Sequence, residues 1–127
     1  MNIILFLGAV LGLSSIGVAA YIDHSVALHL SGKPLSELLT AVRYHQLYAI
    51  VVSMIGLTLP LQFNQRIKSW LTGSAYIFSL GSLLFSFSIY FSVIFSIPGI
   101  ISCVPIGGMT LIMGWAFLLR VALLKIK

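Results

Sequence analysis

No aspartate, glutamate, lysine or arginine occurs between Lys68 and Arg120. That uncharged stretch, Ser69 to Leu119, is 51 residues long, and no small soluble domain has a core of that kind. Soluble chains carry charge on about a quarter of their residues. Here 7% are charged, 60% are hydrophobic and the mean hydropathy is +1.14. The solvent that suits such a chain is the interior of a bilayer.

A spanning helix needs about 20 mostly apolar residues. Four segments qualify: Ile3 to about Tyr21, Tyr44 to about Leu61, Trp70 to about Phe91, and roughly Gly107 to Leu124. The expected fold is an all-α membrane bundle of four transmembrane helices in one integral-membrane domain. Pro98-Gly99 and Pro105-Ile106-Gly107-Gly108 are expected to divide the uncharged stretch into two spans. Backbone polar groups in lipid must pair within their own segment, so helices are expected rather than strands. A cleaved signal peptide would begin with basic residues, and Met1-Asn2 supplies none, so the first segment is expected to remain as a span.

Four spans put both ends of the sequence and the second loop on one side. Arg66, Lys68, Arg120, Lys125 and Lys127 lie there, whereas Lys33 and Arg43 on the other side are offset by Asp23 and Glu37. Lys and Arg accumulate on the cytoplasmic side, so both termini are expected to be cytoplasmic. Trp70 would then mark the inner interface, and Tyr21, Tyr44 and Tyr90 the outer one. The net charge of +5 reads as an orientation device that also attracts anionic lipid. It forms no basic stripe on a soluble face, so no nucleic-acid partner is expected. The lone Cys103 precludes an intrachain disulfide. In the first outer loop, Lys33-Pro34 precedes Leu35, Leu38, Leu39 and Val42, the spacing of a short amphipathic helix with proline in its first turn.

Lipid removes most of the hydrophobic drive for helices to associate, so small residues that allow close backbone approach matter. The first span carries Gly8 and Gly12, followed on the same face by Ser15 and Ala19. The third carries Ala75, Ser79, Ser82 and Ser86, and the fourth Gly107 and Gly114. These seams have two readings: packing within one chain, or contact with a second copy or another membrane protein.

Ionisable groups inside a membrane are functional candidates by default. Asp23, His24, Arg43, Tyr44 and His45 gather at the outer ends of the first two spans, as an outer-side polar cluster. His24 and His45 there could ligate a haem or metal ion, or be interfacial residues bonded to loop carbonyls. The second reading is preferred, and neither a cofactor nor a metal is expected. Catalytic residues are not expected either: the sequence has no phosphate loop, paired carboxylates or CxxC. A proton-coupled drug transporter would need a membrane-buried carboxylate, and Asp23 and Glu37, the two acids, are both expected in the outer loop.

Leu84-Phe85-Ser86-Phe87-Ser88-Ile89-Tyr90 is similar to an LFSGSLY motif. Val104-Pro105-Ile106-Gly107-Gly108 with Gly114-Trp115 is similar to TPIGG and a later GW. On these, with weaker echoes at Asp23-His24 and Arg43-Tyr44-His45, the chain resembles the YgdD-like family of small bacterial inner-membrane proteins. Phe87 stands where the motif has glycine, and Tyr48 where members often carry histidine. The resemblance implies a four-helix protein of the bacterial inner membrane and brings no activity. Phe85, Ser86, Ser88, Tyr90, Pro105, Gly107, Gly108 and Trp115 are its motif residues. The corner at Pro105 has two readings, a structural turn or a pocket lined by Ser86, Tyr90 and Pro105. For the whole chain, the leading expectation is a non-enzymatic bundle acting through helix contacts. The alternative is a binding or conducting protein with a ligand, ion or cofactor site at the outer ends of helices 1 and 2.

Overall fold

Backbone groups that cannot reach water are satisfied most simply in a continuous helix, and the chain forms four long helical rods. The computed structural model describes residues 1–125; Lys127, counted above among the basic side chains, lies outside the described residues. Helix α1 spans Ile3–His24 and α2 spans Gly32–Thr58. The third rod is α3 (Gln65–Ser82), a π-helical turn (Leu83–Phe87) and α4 (Ser88–Ile94). The fourth opens with a 3-10 segment, Pro98–Ser102, and continues as α5 (Cys103–Ala122). With their short 3-10 extensions the rods are 26, 30, 30 and 25 residues long. At 1.5 Å per residue each exceeds a hydrocarbon thickness of about 30 Å.

Large apolar side chains such as Leu13, Ile16, Met54 and Met109 face outward. Serines 74, 82 and 86 are fully buried inside. This is the arrangement expected of a bundle with lipid around it. Two apolar clusters fill the interior. One gathers Tyr48, Val52, Ala75, Phe78 and Leu111; the other gathers Ile22, Leu38, Ala41, Ile89 and Tyr90.

The helix ends differ from the sequence expectation in three ways. The amphipathic segment at 33–42 is helical but not separate: it forms the first turns of α2. Leu38 and Val42 pack against Ile22 and Ile89, and the Lys33–Glu37 pair, 3.9 Å apart, faces out. Pro34 sits in the first turn, where its missing N–H costs nothing, and no proline follows until Pro60. The helix therefore has no reason to break at Arg43. Second, α5 begins at Cys103, so Pro105 lies inside its first turn and does not make the corner. Reversal happens earlier, at Ser96 (φ 54°) and the extended Ile97, with Pro98 opening the 3-10 segment. Third, Tyr90 faces the interior of the bundle; it is 4% exposed. Trp70 packs edge-on against Phe117, and Tyr21 is half exposed.

Close approach occurs where the rods carry glycine. A Cβ on Gly8 would lie 2.6 Å from the Ser53 nitrogen, and one on Gly56 2.6 Å from the Leu5 nitrogen. The two contacts are reciprocal and bind α1 to α2. Between the third and fourth rods, a Cβ on Gly107 would lie 2.8 Å from the Leu84 carbonyl carbon. On Gly114 it would lie 2.6 Å from the Phe78 ring. Gly12 differs from the expectation: its Cβ would meet the Ala49 methyl at 3.9 Å, an ordinary contact. The GxxxG pair thus contributes one close approach, not two. Ser79 is buried but bonds back to the Ala75 carbonyl at 2.8 Å, within its own helix.

Gly8→Ala and Gly56→Ala should therefore each destabilise the protein by about 1–3 kcal/mol through overpacking against backbone. Gly12→Ala should be near neutral. Thermal unfolding of the purified variants in mild detergent checks this, and equal effects at positions 8 and 12 would contradict the seam described.

Candidate functional site

Because α2 starts at Gly32, His45 falls well inside a spanning rod. Its neighbour Ser14 sits near the midpoint of the 22-residue α1. His45 is fully buried, and the protein holds both of its ring nitrogens. Nε2 lies 3.1 Å from the Ser14 hydroxyl and Nδ1 lies 3.1 Å from the Tyr90 hydroxyl. The Ser14 hydroxyl also lies 3.1 Å from the Leu11 carbonyl, to which it donates. A hydroxyl has one hydrogen, so one assignment satisfies every group. Tyr90 donates to Nδ1, Nε2–H donates to Ser14, and Ser14 donates to Leu11. The imidazole is then neutral, the form that suits a low-dielectric interior. Bonds running in one direction polarise one another.

The phase of α2 aims His45 inward. Leu38, Ala41, Val42, His45, Tyr48, Ala49 and Val52 are all buried, at spacings of three and four that mark one helix face. That periodicity is present in the sequence and would have identified His45 as an interior residue.

The π turn positions Tyr90. In a regular helix each step of four residues overshoots a full turn by about 40°. A π turn, closing i→i+5, rotates less per residue and offsets that drift. Ser86 and Tyr90 consequently both reach α2: Ser86 donates to the Ala41 carbonyl at 2.8 Å, and Tyr90 bonds to His45. Ser82, at the start of the turn, is fully buried, and its hydroxyl is the one buried side-chain polar atom among the described residues without a partner. Gly107 of α5 rests directly on the backbone of the turn at Leu84 and Phe85.

Phe87, in the place of the motif glycine, packs its ring 5.1 Å from His45 and 5.5 Å from Tyr90. Tyr48, in the place of the histidine, lies one turn further along the same face of α2. Its hydroxyl accepts from Trp115 Nε1 at 2.9 Å, and its ring lies 5.1 Å from Phe78. Ser74 donates to the Gly114 carbonyl at 3.1 Å. The motif residues thus hold α5 against α2 and α3.

The outer-side group does not converge. His45 points into the bundle, whereas Asp23, His24, Arg43 and Tyr44 are exposed. Tyr44 turns toward Phe85, with ring centroids 4.8 Å apart. Among the described residues no three His, Cys, Asp or Glu side chains gather as a metal site would require. Ser86, Tyr90 and Pro105 do not share a pocket either. Ser86 is sealed inside and Tyr90 borders an apolar cleft of about 300 Å³ beside Gly17, Val18 and Phe91. Pro105 borders a groove of about 480 Å³ with Tyr44, Tyr48, Phe85 and Trp115.

Four apolar rods, with outward-facing Leu, Ile and Met and an interior joined by serine, histidine and tyrosine, define an integral membrane protein of four helices. The chain belongs to the family described as protein of unknown function (DUF423), whose model matches residues 18–108. That interval contains His45, Ser86, Tyr90 and Gly107. Similar chains include the UPF0382 membrane protein of Staphylococcus haemolyticus, 30% identical over 122 residues that cover 94% of this chain and 93% of the relative. The UPF0382 membrane protein of Staphylococcus epidermidis is 29% identical, covering 98% of each. The UPF0382 inner membrane protein YgdD of Escherichia coli is 24% identical, covering 91% of this chain and 85% of the relative. No solved structure matches the chain.

Tyr90→Phe and Ser14→Ala should each lower stability by about 0.6–1.7 kcal/mol, the range of interhelical hydrogen bonds in membranes. The double variant should lose less than the sum, because both bonds share one imidazole. Unfolding in detergent across the four proteins measures the coupling; strict additivity would show that the relay does not act as a unit.

Proposed function

We propose that the protein is a non-enzymatic, structural or accessory helix bundle of the bacterial inner membrane that acts through contacts with a second copy or another membrane protein. The observation that carries this reading is where the interior polar groups are spent. His45, Ser74, Ser86 and Trp115 each bond across to another helix, as polar groups do when they hold a bundle in register. The name of the Escherichia coli relative, an inner membrane protein, supports the compartment. Both termini are cytoplasmic in this reading, since Arg66, Lys68, Arg120 and Lys125 lie at that end. A second reading, a small-molecule binding protein, draws on the apolar cleft that borders Tyr90 in the outer half of the bundle.

Purification in mild detergent, with mass spectrometry and an absorption spectrum, separates the two. A stoichiometric homomer or protein partner is the expected result; a tightly retained small molecule or a haem band would favour the second reading. Topology is checked by reporter fusions after the C-terminus and near residue 35. A periplasmic signal from the C-terminal fusion would reverse the orientation.

A further inference from the structure

At the end of the bundle that holds the α2–α3 loop, a crevice of about 400 Å³ opens between the start of α3 and the end of α5. Arg66, Arg120 and Lys125 line it, together with the apolar side chains of Ile67 and Leu124. Arg66 and Arg120 come from different rods, so the fold and not the local sequence brings them to one opening. Among the described residues no aspartate or glutamate side chain answers them at this end: Asp23 and Glu37 lie at the other, where Glu37 makes the one ion pair among the described residues. All three are exposed, and an anion placed between them would be attracted by each. The free amides of the α3 N-terminus are not the attraction, because the Asn64 side chain already accepts from the Arg66 and Ile67 N–H groups at 2.9 and 3.3 Å. Guanidinium groups fit phosphate oxygens in a two-pronged geometry.

We propose that this crevice is a binding site for the phosphate headgroup of an anionic phospholipid. The cationic rim takes the phosphate oxygens, and the Ile67 and Leu124 floor takes the first carbons of the acyl chains. A free phosphate shares the first chemistry but has no use for the floor. The crevice lies within a turn or two of Trp70, an interfacial residue type, which sets it at headgroup depth. The site does not depend on which leaflet this end occupies, nor on the partner proposed above.

Lys68 supplies an internal control. It has the same charge at the same end but borders a different groove, with Met1, Asn2 and Pro60. The test uses the full chain purified in detergent and titrated with phosphatidylglycerol, phosphatidylcholine or inorganic phosphate. Thermal stability and retained lipid by native mass spectrometry are the readouts. Phosphatidylglycerol should stabilise the protein and be retained; phosphatidylcholine and inorganic phosphate should not. Arg66→Gln and Arg120→Gln should each weaken phosphatidylglycerol binding about fivefold, the effect of one interfacial charge, while Lys68→Gln should not. Arg120→Lys, which keeps the charge, should retain most of the binding and separates lost charge from lost folding. Equal losses from Lys68→Gln and Arg120→Gln would overturn the site in favour of diffuse positive charge. Full stabilisation by inorganic phosphate alone would overturn its assignment to lipid.

Discussion

Backbone meets backbone at Gly8, Gly56 and Gly107, and the other interior contacts are set by those approaches. Lipid competes for apolar surface as well as any helix does, so burial alone would not hold four rods together. The reciprocal pair at Gly8 and Gly56 fixes the rotation of α1 against α2. The Asn2 side chain adds to it, capping α1 through the Leu5 N–H and donating to the Gly56 carbonyl at 2.7 Å. Once that rotation is fixed, Ser14 lies opposite His45. Gly107 similarly seats α5 on the π turn, which keeps Ser86 and Tyr90 facing α2. The hydrogen bonds can form because the helices are already close.

Polar side chains then do in this interior what apolar packing does in a soluble core. Each interhelical bond is worth little alone, but together they select one rotation and one register among arrangements that lipid scarcely distinguishes. Ser86 reaches a carbonyl, His45 joins two hydroxyls, and the Tyr48 hydroxyl receives the Trp115 indole. These bonds link α2 to the three other rods. Phe87 and Phe78 fill the space around them, so the polar groups meet one another and not hydrocarbon.

Much of the class was legible in the sequence, because absence of charge is visible there directly: the 51-residue uncharged stretch implied spanning helices. Helix ends were less legible. Lys33, Glu37 and Arg43 suggested a loop, but a 30-residue rod is longer than the hydrocarbon is thick and carries charge in its outer turns without penalty. That misplacement moved His45 to an interface in the sequence reading, although the three-and-four spacing of its buried neighbours pointed inward. Gly8, Gly107 and Gly114 were legible from small-residue spacing. Gly56 was not, because no small residue lies four away from it and its partner, the Leu5 backbone, has no signature. The π turn left no local mark beyond the motif that contains it.

The division of contacts between the rods has a consequence for how the chain is made. Everything that joins α1 to α2 lies within the first 58 residues: the Asn2 cap, the two glycine contacts and the Ser14–His45 bond. A hairpin of these helices can close in the membrane while the ribosome is still synthesising α3, since early segments of a chain fold first. At that stage one nitrogen of His45 has its partner and the other waits. Tyr90, 45 residues after His45, completes the histidine, and Ser86 and Trp115 of the second hairpin bring their bonds to the Ala41 carbonyl and the Tyr48 hydroxyl of the same helix.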